Sequence, residues 1–126
     1  MRKIATTMIV LFALVGNTQT IQEVKDYISK TSLKHKDIVI AQVMQETRWL
    51  KCSNCSKDRN NLFGWTWKKK YLEFETWEES VDYYVRWQKR HYEDGDYYAF
   101  LKRVGFATDP KYIHKIKSIQ LNLKVK

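Results

Sequence analysis

Proline and glycine are scarce in this chain, with one proline and four glycines among 126 residues. That shortage favours helices over turn-rich architecture, and strand signals are correspondingly sparse. No internal repeat, low-complexity tract or second domain is visible. Cysteine is limited to Cys52 and Cys55, spaced as Cys-x-x-Cys. Zinc needs two further ligands at suitable spacing, and no second cysteine pair or histidine pair supplies them. A thioredoxin-like role needs a βαβ context that is missing. His35, His91 and His114 are scattered and read as surface residues, so neither a metal nor a cofactor is expected.

No apolar run is long enough to cross a bilayer. The stretch from Ile4 to Gly16 is about 13 residues, short of the roughly 20 that a spanning helix needs. Arg2 and Lys3 precede it and the polar Asn17 to Thr20 follow, which is the pattern of a secretory signal peptide over residues 1–20. No cysteine lies close enough behind it for a lipid anchor. The expectation is an exported protein, periplasmic or secreted, with no stable membrane anchor. In that setting an even cysteine count points to a disulfide closing the Ser53-Asn54 loop, with a local rather than global effect on stability. Residues 21–126 then form one small domain, expected to act as a monomer.

Acidic residues are also in short supply, 14 against 23 basic ones, for a formal charge of +9. Arg2 and Lys3 contribute two of those charges, so the mature domain keeps +7. Such a domain is drawn to anionic polymers such as cell wall, lipid headgroups or nucleic acid, although the same charge also serves plain solubility. No nucleic-acid-binding motif accompanies it, so nucleic acid is not expected as a partner.

What the sequence does contain is helical periodicity. Residues 21–30 place Ile21, Val24 and Ile28 on one side. The segment from about Asp37 to Trp49 is apolar on most faces and predicts a buried central helix. Thr76-Trp77-Glu78-Glu79 is a capping box ahead of a helix whose inward residues are Trp77, Val81, Tyr84, Val85, Gln88 and Tyr92. Gly95-Asp96 introduces a short helix over Tyr97 to Val104, closed by Gly105. Asp109, as N-cap, and Pro110, at the first helical position, open the last helix. Alternation of Trp65, Trp67, Tyr71, Glu73 and Glu75 about Lys68-Lys69-Lys70 predicts a small hairpin. The fold class is mainly α, with one short β-hairpin on its rim.

One carboxylate interrupts the central helix. At helical spacing Glu46 shares a face with Val39, Gln42, Val43 and Leu50. Burial there raises a carboxyl pKa, as a proton donor near neutral pH requires. Taken alone, a glutamate near a helix C-terminus is more often simply solvated.

Four ordered stretches change that balance: "AQVMQETRWL", "NNLFGW", "YLEFETWEESVDYY" and "GFATDPKYIHKI". In that order they resemble the successive motifs of the bacterial endo-β-N-acetylglucosaminidases of glycoside hydrolase family seventy-three, from about Leu33 to Ile119. The resemblance implies a lysozyme-like helical fold and cleavage of the glycan strands of peptidoglycan. It implies that Glu46 is the general acid. It also implies that Asn61-Leu62-Phe63-Gly64 shapes the sugar-binding cleft, and that Tyr112, in Asp109-Pro110-x-Tyr112, lines the site opposite the acid.

Two departures from the family pattern bear on mechanism. Arg48 stands where the family usually writes glycine after Glu-Thr. The hairpin after the Asn-Leu-Phe-Gly turn, which carries a second acid in many members, is cut to about seven residues between Gly64 and Tyr71. Glu73 and Glu75 are the only acids near the right place, and both read more readily as solvent-facing hairpin residues. Without a second carboxylate, the substrate's own 2-acetamido group is the alternative nucleophile. Trp49 and Trp65 flank the acid and the turn and are the candidates for stacking on sugar, joined by Asn61, Phe63, Gly64, Glu73 and Asp109 as cleft residues. Trp77, Tyr84 and Trp87 read as core. The shortened hairpin and Arg48 also motivate an alternative, a non-catalytic descendant that binds glycan or blocks another hydrolase.

Overall fold

The computed structural model describes residues 19–125. The signal peptide expected over 1–20 lies outside them except for Gln19 and Thr20. Thr20 already belongs to the domain. Its hydroxyl accepts the Glu23 N–H at 3.1 Å, and the Glu23 carboxylate accepts the Thr20 N–H at 3.0 Å, so a complete capping box opens helix α1, Ile21–Ser29. That helix buries Val24 and Ile28 completely, which contributes about 1.5–3 kcal/mol per side chain.

Helix α2, Lys36–Thr47, is the central element and packs most extensively on the last helix and also on α1. Ile38, Val39, Ala41, Gln42, Val43, Met44 and Thr47 are all buried, which covers most of its circumference and explains the apolar run. It is entered through His35, in the left-handed conformation at φ 58°. His35 is exposed as expected, yet it is not idle: its ring stacks on Tyr97 at 4.9 Å and meets the Tyr92 hydroxyl at 2.9 Å.

The helix ends at Thr47, two residues before the expected Trp49. Arg48, Trp49 and Leu50 follow in succession with φ of 51°, 60° and 64°. Left-handed backbone costs a side-chain-bearing residue roughly 1–2 kcal/mol, so the turn needs external support. Thr47 supplies much of it. Its hydroxyl donates to the Val43 carbonyl at 2.7 Å and accepts the Leu50 N–H at 2.9 Å, while its carbonyl accepts Lys51 and Cys52 N–H, each at 3.1 Å. Cys52 and Cys55 then form the expected disulfide. Arg48 is exposed, so replacing it removes strain without removing packing. Arg48→Gly is expected to stabilise the domain by about 0.5–1 kcal/mol, a rise of several degrees in melting temperature. A thermal melt followed by circular dichroism checks this, and an unchanged or lower midpoint refutes it.

A 3-10 turn at Ser56–Arg59 leads to the Asn60 to Trp65 segment and then to the hairpin. Strands β1, Thr66–Trp67, and β2, Lys70–Tyr71, pair antiparallel with Thr66 opposite Tyr71 and Trp67 opposite Lys70. Lys68 and Lys69, at φ 51° and 68°, take the left-handed pair that a two-residue hairpin requires. Helix α3, Trp77–His91, starts at Thr76, whose hydroxyl accepts the Glu79 N–H at 3.3 Å; only the threonine half of the expected box forms. Glu78 and Glu79 in its first turn and Lys89, Arg90 and His91 in its last suit the helix dipole. Val81, Tyr84 and Gln88 face inward, with Trp77, Val85 and Trp87 half-buried against the core.

Helix α4, Tyr97–Arg103, is capped by Asp96 and buries Tyr97, Phe100 and Leu101. Helix α5, Tyr112–Val125, begins two residues later than Asp109-Pro110 suggested. Asp109 caps the short turn ahead of it, its carbonyl accepting the Tyr112 N–H at 3.0 Å and its carboxylate the Lys111 N–H at 2.9 Å. The result is a small helical domain of lysozyme-like type with one short hairpin, its core centred on Met44, Leu62, Tyr84, Tyr97, Phe100 and Ile116. Among the described residues no helix is long and apolar enough to cross a membrane.

Candidate active site

The termination of α2 presents Glu46 in its last turn, half-buried, with no hydrogen bond or ion pair to its carboxylate among the described residues. Burial pushes the carboxyl pKa upward, and burial is the one cause of the shift. A second carboxylate pressed against Glu46 would add its own upward push. None does.

Gly64 closes on this acid. Its φ is +70°, and a Cβ built there would lie 2.3 Å from Glu46 Oε1 and 2.6 Å from its Cδ. Only glycine satisfies both the backbone conformation and the approach. Asn61 makes that turn. It is fully buried, its side-chain oxygen accepts the Trp65 N–H at 2.9 Å, and its amide nitrogen donates to the carbonyls of Trp65 at 2.8 Å and Leu72 at 3.0 Å. Asn61 therefore shapes the cleft, and its polar atoms are spent on backbone instead of sugar. Phe63, 2% exposed, packs beneath on Tyr84 at 4.8 Å.

Trp65 is half-buried in an aromatic cluster with Tyr83, Tyr84, Trp87 and Phe106, at 4.8–5.4 Å between ring centres, and its indole N–H donates to the Ser80 carbonyl at 3.2 Å. Its remaining surface joins Gly64, Thr66, Trp87 and Phe106 along a hollow of about 180 Å³. Trp49 sits in the left-handed turn, half-buried against the core, with its N–H on the Met44 carbonyl at 2.9 Å. Glu73 is placed otherwise: its side chain is 77% exposed and faces Arg59 at 3.8 Å. It is a surface partner of Arg59 and does not perturb Glu46.

Tyr112 comes in from the first turn of α5, 6% exposed. Its hydroxyl accepts the Gln42 amide N–H at 3.0 Å. Burial drives its pKa far upward, the Gln42 bond opposes the shift, and the Glu46 charge nearby adds to it. Tyr112 therefore stays a neutral hydroxyl beside the acid. Asp109 is half-exposed and committed locally. Its carboxylate accepts from Lys115 Nζ at 2.7 Å and from the Lys111 N–H at 2.9 Å, which together hold its pKa below the usual range. Asp109 supports the approach to α5 and lines, with Pro110 and Tyr112, a separate hollow of about 380 Å³.

Sequence reasoning passed over the residues behind Tyr112. Gln42 was visible only as a face neighbour of Glu46, and Gln88 only as one member of an inward stripe. The signal for both was a glutamine on an otherwise apolar helical face, where a buried amide must find partners. Among the described residues no group of histidine, cysteine and acidic side chains is arranged to hold a metal.

A lysozyme-like helical domain presenting a half-buried acid, a glycine pressed on it and a tyrosine alongside has the architecture of a glycoside hydrolase. The family model described as mannosyl-glycoprotein endo-beta-N-acetylglucosaminidase matches residues 21–124, and the chain belongs to that glucosaminidase family. No curated protein matches the chain.

Proposed function

We propose that this is an exported endo-β-N-acetylglucosaminidase that hydrolyses the glycan strands of peptidoglycan, with Glu46 as the proton donor and the substrate's 2-acetamido group as the nucleophile. The observation that carries the reading is Glu46 itself, a half-buried carboxyl whose pKa burial raises, with no other acid among the described residues acting on it. Glycosidases that use two carboxyl groups hold them about 5–9.5 Å apart. Glu73, exposed and paired with Arg59, does not serve as the second.

In the first step the acetamido carbonyl oxygen attacks the anomeric carbon of the N-acetylglucosamine. The bond to the leaving oxygen breaks, and that oxygen takes the Glu46 proton. In the second step Glu46, now a carboxylate, accepts a proton from water. The water oxygen bonds the anomeric carbon and releases the acetamido group, and Glu46 is protonated again. The two displacements retain the anomeric configuration.

The test is digestion of purified cell-wall sacculi with mass spectrometry of the fragments. Reducing N-acetylglucosamine ends support the reading, whereas reducing or anhydro-muramic ends overturn it. Glu73→Gln is expected to keep most of the wild-type rate. A loss equal to that of Glu46→Gln would make Glu73 the second carboxylate. Binding of sacculi without any cleavage would favour the non-catalytic, glycan-binding alternative that the shortened hairpin raises.

A further inference from the structure

Five buried side chains of the core, Gln88, Tyr97, Tyr84, Gln42 and Tyr112, form one hydrogen-bonded chain that starts at the Lys34 backbone and ends at Tyr112. The Lys34 N–H donates to Gln88 Oε1 at 2.8 Å, and Gln88 Nε2 donates to the Lys34 carbonyl at 2.9 Å. A backbone N–H can only donate and a backbone carbonyl can only accept, so these two bonds fix the orientation of the Gln88 amide. Gln88 Nε2 also donates to the Tyr97 hydroxyl at 2.9 Å. The Tyr97 and Tyr84 hydroxyls lie 2.6 Å apart, and the Tyr84 hydroxyl donates to Gln42 Oε1 at 2.6 Å. Gln42 Nε2 then donates to the Tyr112 hydroxyl at 3.0 Å.

Each hydroxyl has one proton to give, and that settles the direction of the whole chain. Tyr97 receives from Gln88, so its proton goes to Tyr84. Tyr84 sends its own to Gln42, which turns the Gln42 amide nitrogen toward Tyr112. With the opposite polarity the Tyr97 oxygen would accept from both Gln88 and Tyr84, and its proton would have no acceptor at a residue 1% exposed. Leaving a buried donor unsatisfied is costly. The Tyr112 hydroxyl therefore accepts from Gln42 and keeps its own proton, which no other described residue takes up.

We propose that Gln88 and Gln42 are positioning residues: the polarity set by the Lys34 peptide and carried through Tyr97 and Tyr84 commits the Tyr112 hydroxyl to donate into the cleft. Its acceptor is the acetamido carbonyl oxygen of the sugar beside Glu46, held in line with the anomeric carbon. This rests on the glucosaminidase reading and adds the residues that orient its substrate. A directional donor reduces the orientations open to the acetamido group, which is where an intramolecular attack gains its rate. The groups facing Gln42 are Tyr84 from α3 and Tyr112 from α5, with Glu46 one turn further along α2.

The test is a double-mutant cycle between opposite ends of the chain. Gln88→Met keeps the length of the side chain, removes the donor and lies away from the cleft. It is expected to lower kcat on solubilised glycan strands about fivefold to tenfold with KM unchanged. Combined with Tyr112→Phe, it is expected to cause no further loss, because the chain then ends without a hydroxyl. Equal losses in both backgrounds would mean a merely structural role and overturn the proposal. Tyr97→Phe interrupts the same chain and carries the same expectation if Gln88→Met does not fold. A second arm needs no activity. In isotope-labelled wild-type protein, the Gln42 side-chain amide protons should give stronger nuclear Overhauser effects to the Tyr112 ring than to the Tyr84 ring. The reverse pattern overturns the polarity whether or not the protein digests glycan, so wild-type digestion tests the glucosaminidase reading separately.

Discussion

Glu46→Gln is expected to abolish glycan hydrolysis and, at neutral pH, to make the protein more stable than wild type. A positioned general acid supplies about 10²–10⁴ in rate, and glutamine has no proton of comparable acidity to give. The gain in stability follows from the raised pKa. A carboxyl whose pKa is higher in the fold than in the unfolded chain holds its proton more tightly when folded. Ionising it therefore costs stability as pH rises above the ordinary value of 4.5. Glutamine does not ionise, so the gap in melting temperature between variant and wild type is expected to widen from acid to neutral pH.

The activity of the wild type should follow the same group in the same direction. It should be highest where Glu46 is protonated in the folded enzyme and fall as pH climbs through its raised pKa. Melting curves and digestion rates across about pH 4 to 8 measure both effects. A flat rate profile, or a variant that still releases reducing ends, would remove Glu46 from the mechanism.

Gly64→Ala is the second substitution with a large expected effect. Alanine at φ +70° incurs the left-handed penalty of roughly 1–2 kcal/mol. Its methyl would also stand 2.3 Å from Glu46 Oε1, well inside contact distance, so either the carboxyl or the turn must move. The turn resists, because Asn61 bonds it to the backbone of Trp65 and Leu72. The carboxyl is therefore expected to shift. A displacement of about 1 Å at a reacting group costs about a hundredfold in turnover. Steady-state kinetics and a thermal melt should show a fall in kcat of that order with a modest loss of stability. Full activity at an unchanged melting temperature would mean that the turn does not bear on the acid.

The sequence made the helices legible because their signals are local. Thr76, Asp96 and the single proline mark starts, and the apolar spacing of α1 and α3 marks faces, so their boundaries held to within about two residues. Glu46 was legible for a related reason, since one carboxylate inside an apolar helix is visible without knowing what packs on it. The end of α2 was misplaced because Arg48, Trp49 and Leu50 carry no mark of left-handed backbone. The Thr47 hydrogen bonds impose it on residues that disfavour it. Likewise the sequence could put Asn61 near the site but not say where its side-chain atoms go, because the Leu72 carbonyl lies 11 residues away along the chain.

By itself, then, the sequence determined a mostly helical chain, its hairpin, its one conspicuous acid and its family pattern, since each of these rests on spacing within a short window. Tertiary structure alone decided that Gly64 presses on Glu46, that Arg59 is the partner of the solvent-facing Glu73, and that the Tyr112 proton is free. These depend on contacts across the fold, Gln42 to Tyr112 over 70 residues and Lys34 to Gln88 over 54. The direction of a buried hydrogen bond is set by whichever partner cannot turn, and here those partners are the backbone N–H and carbonyl of Lys34.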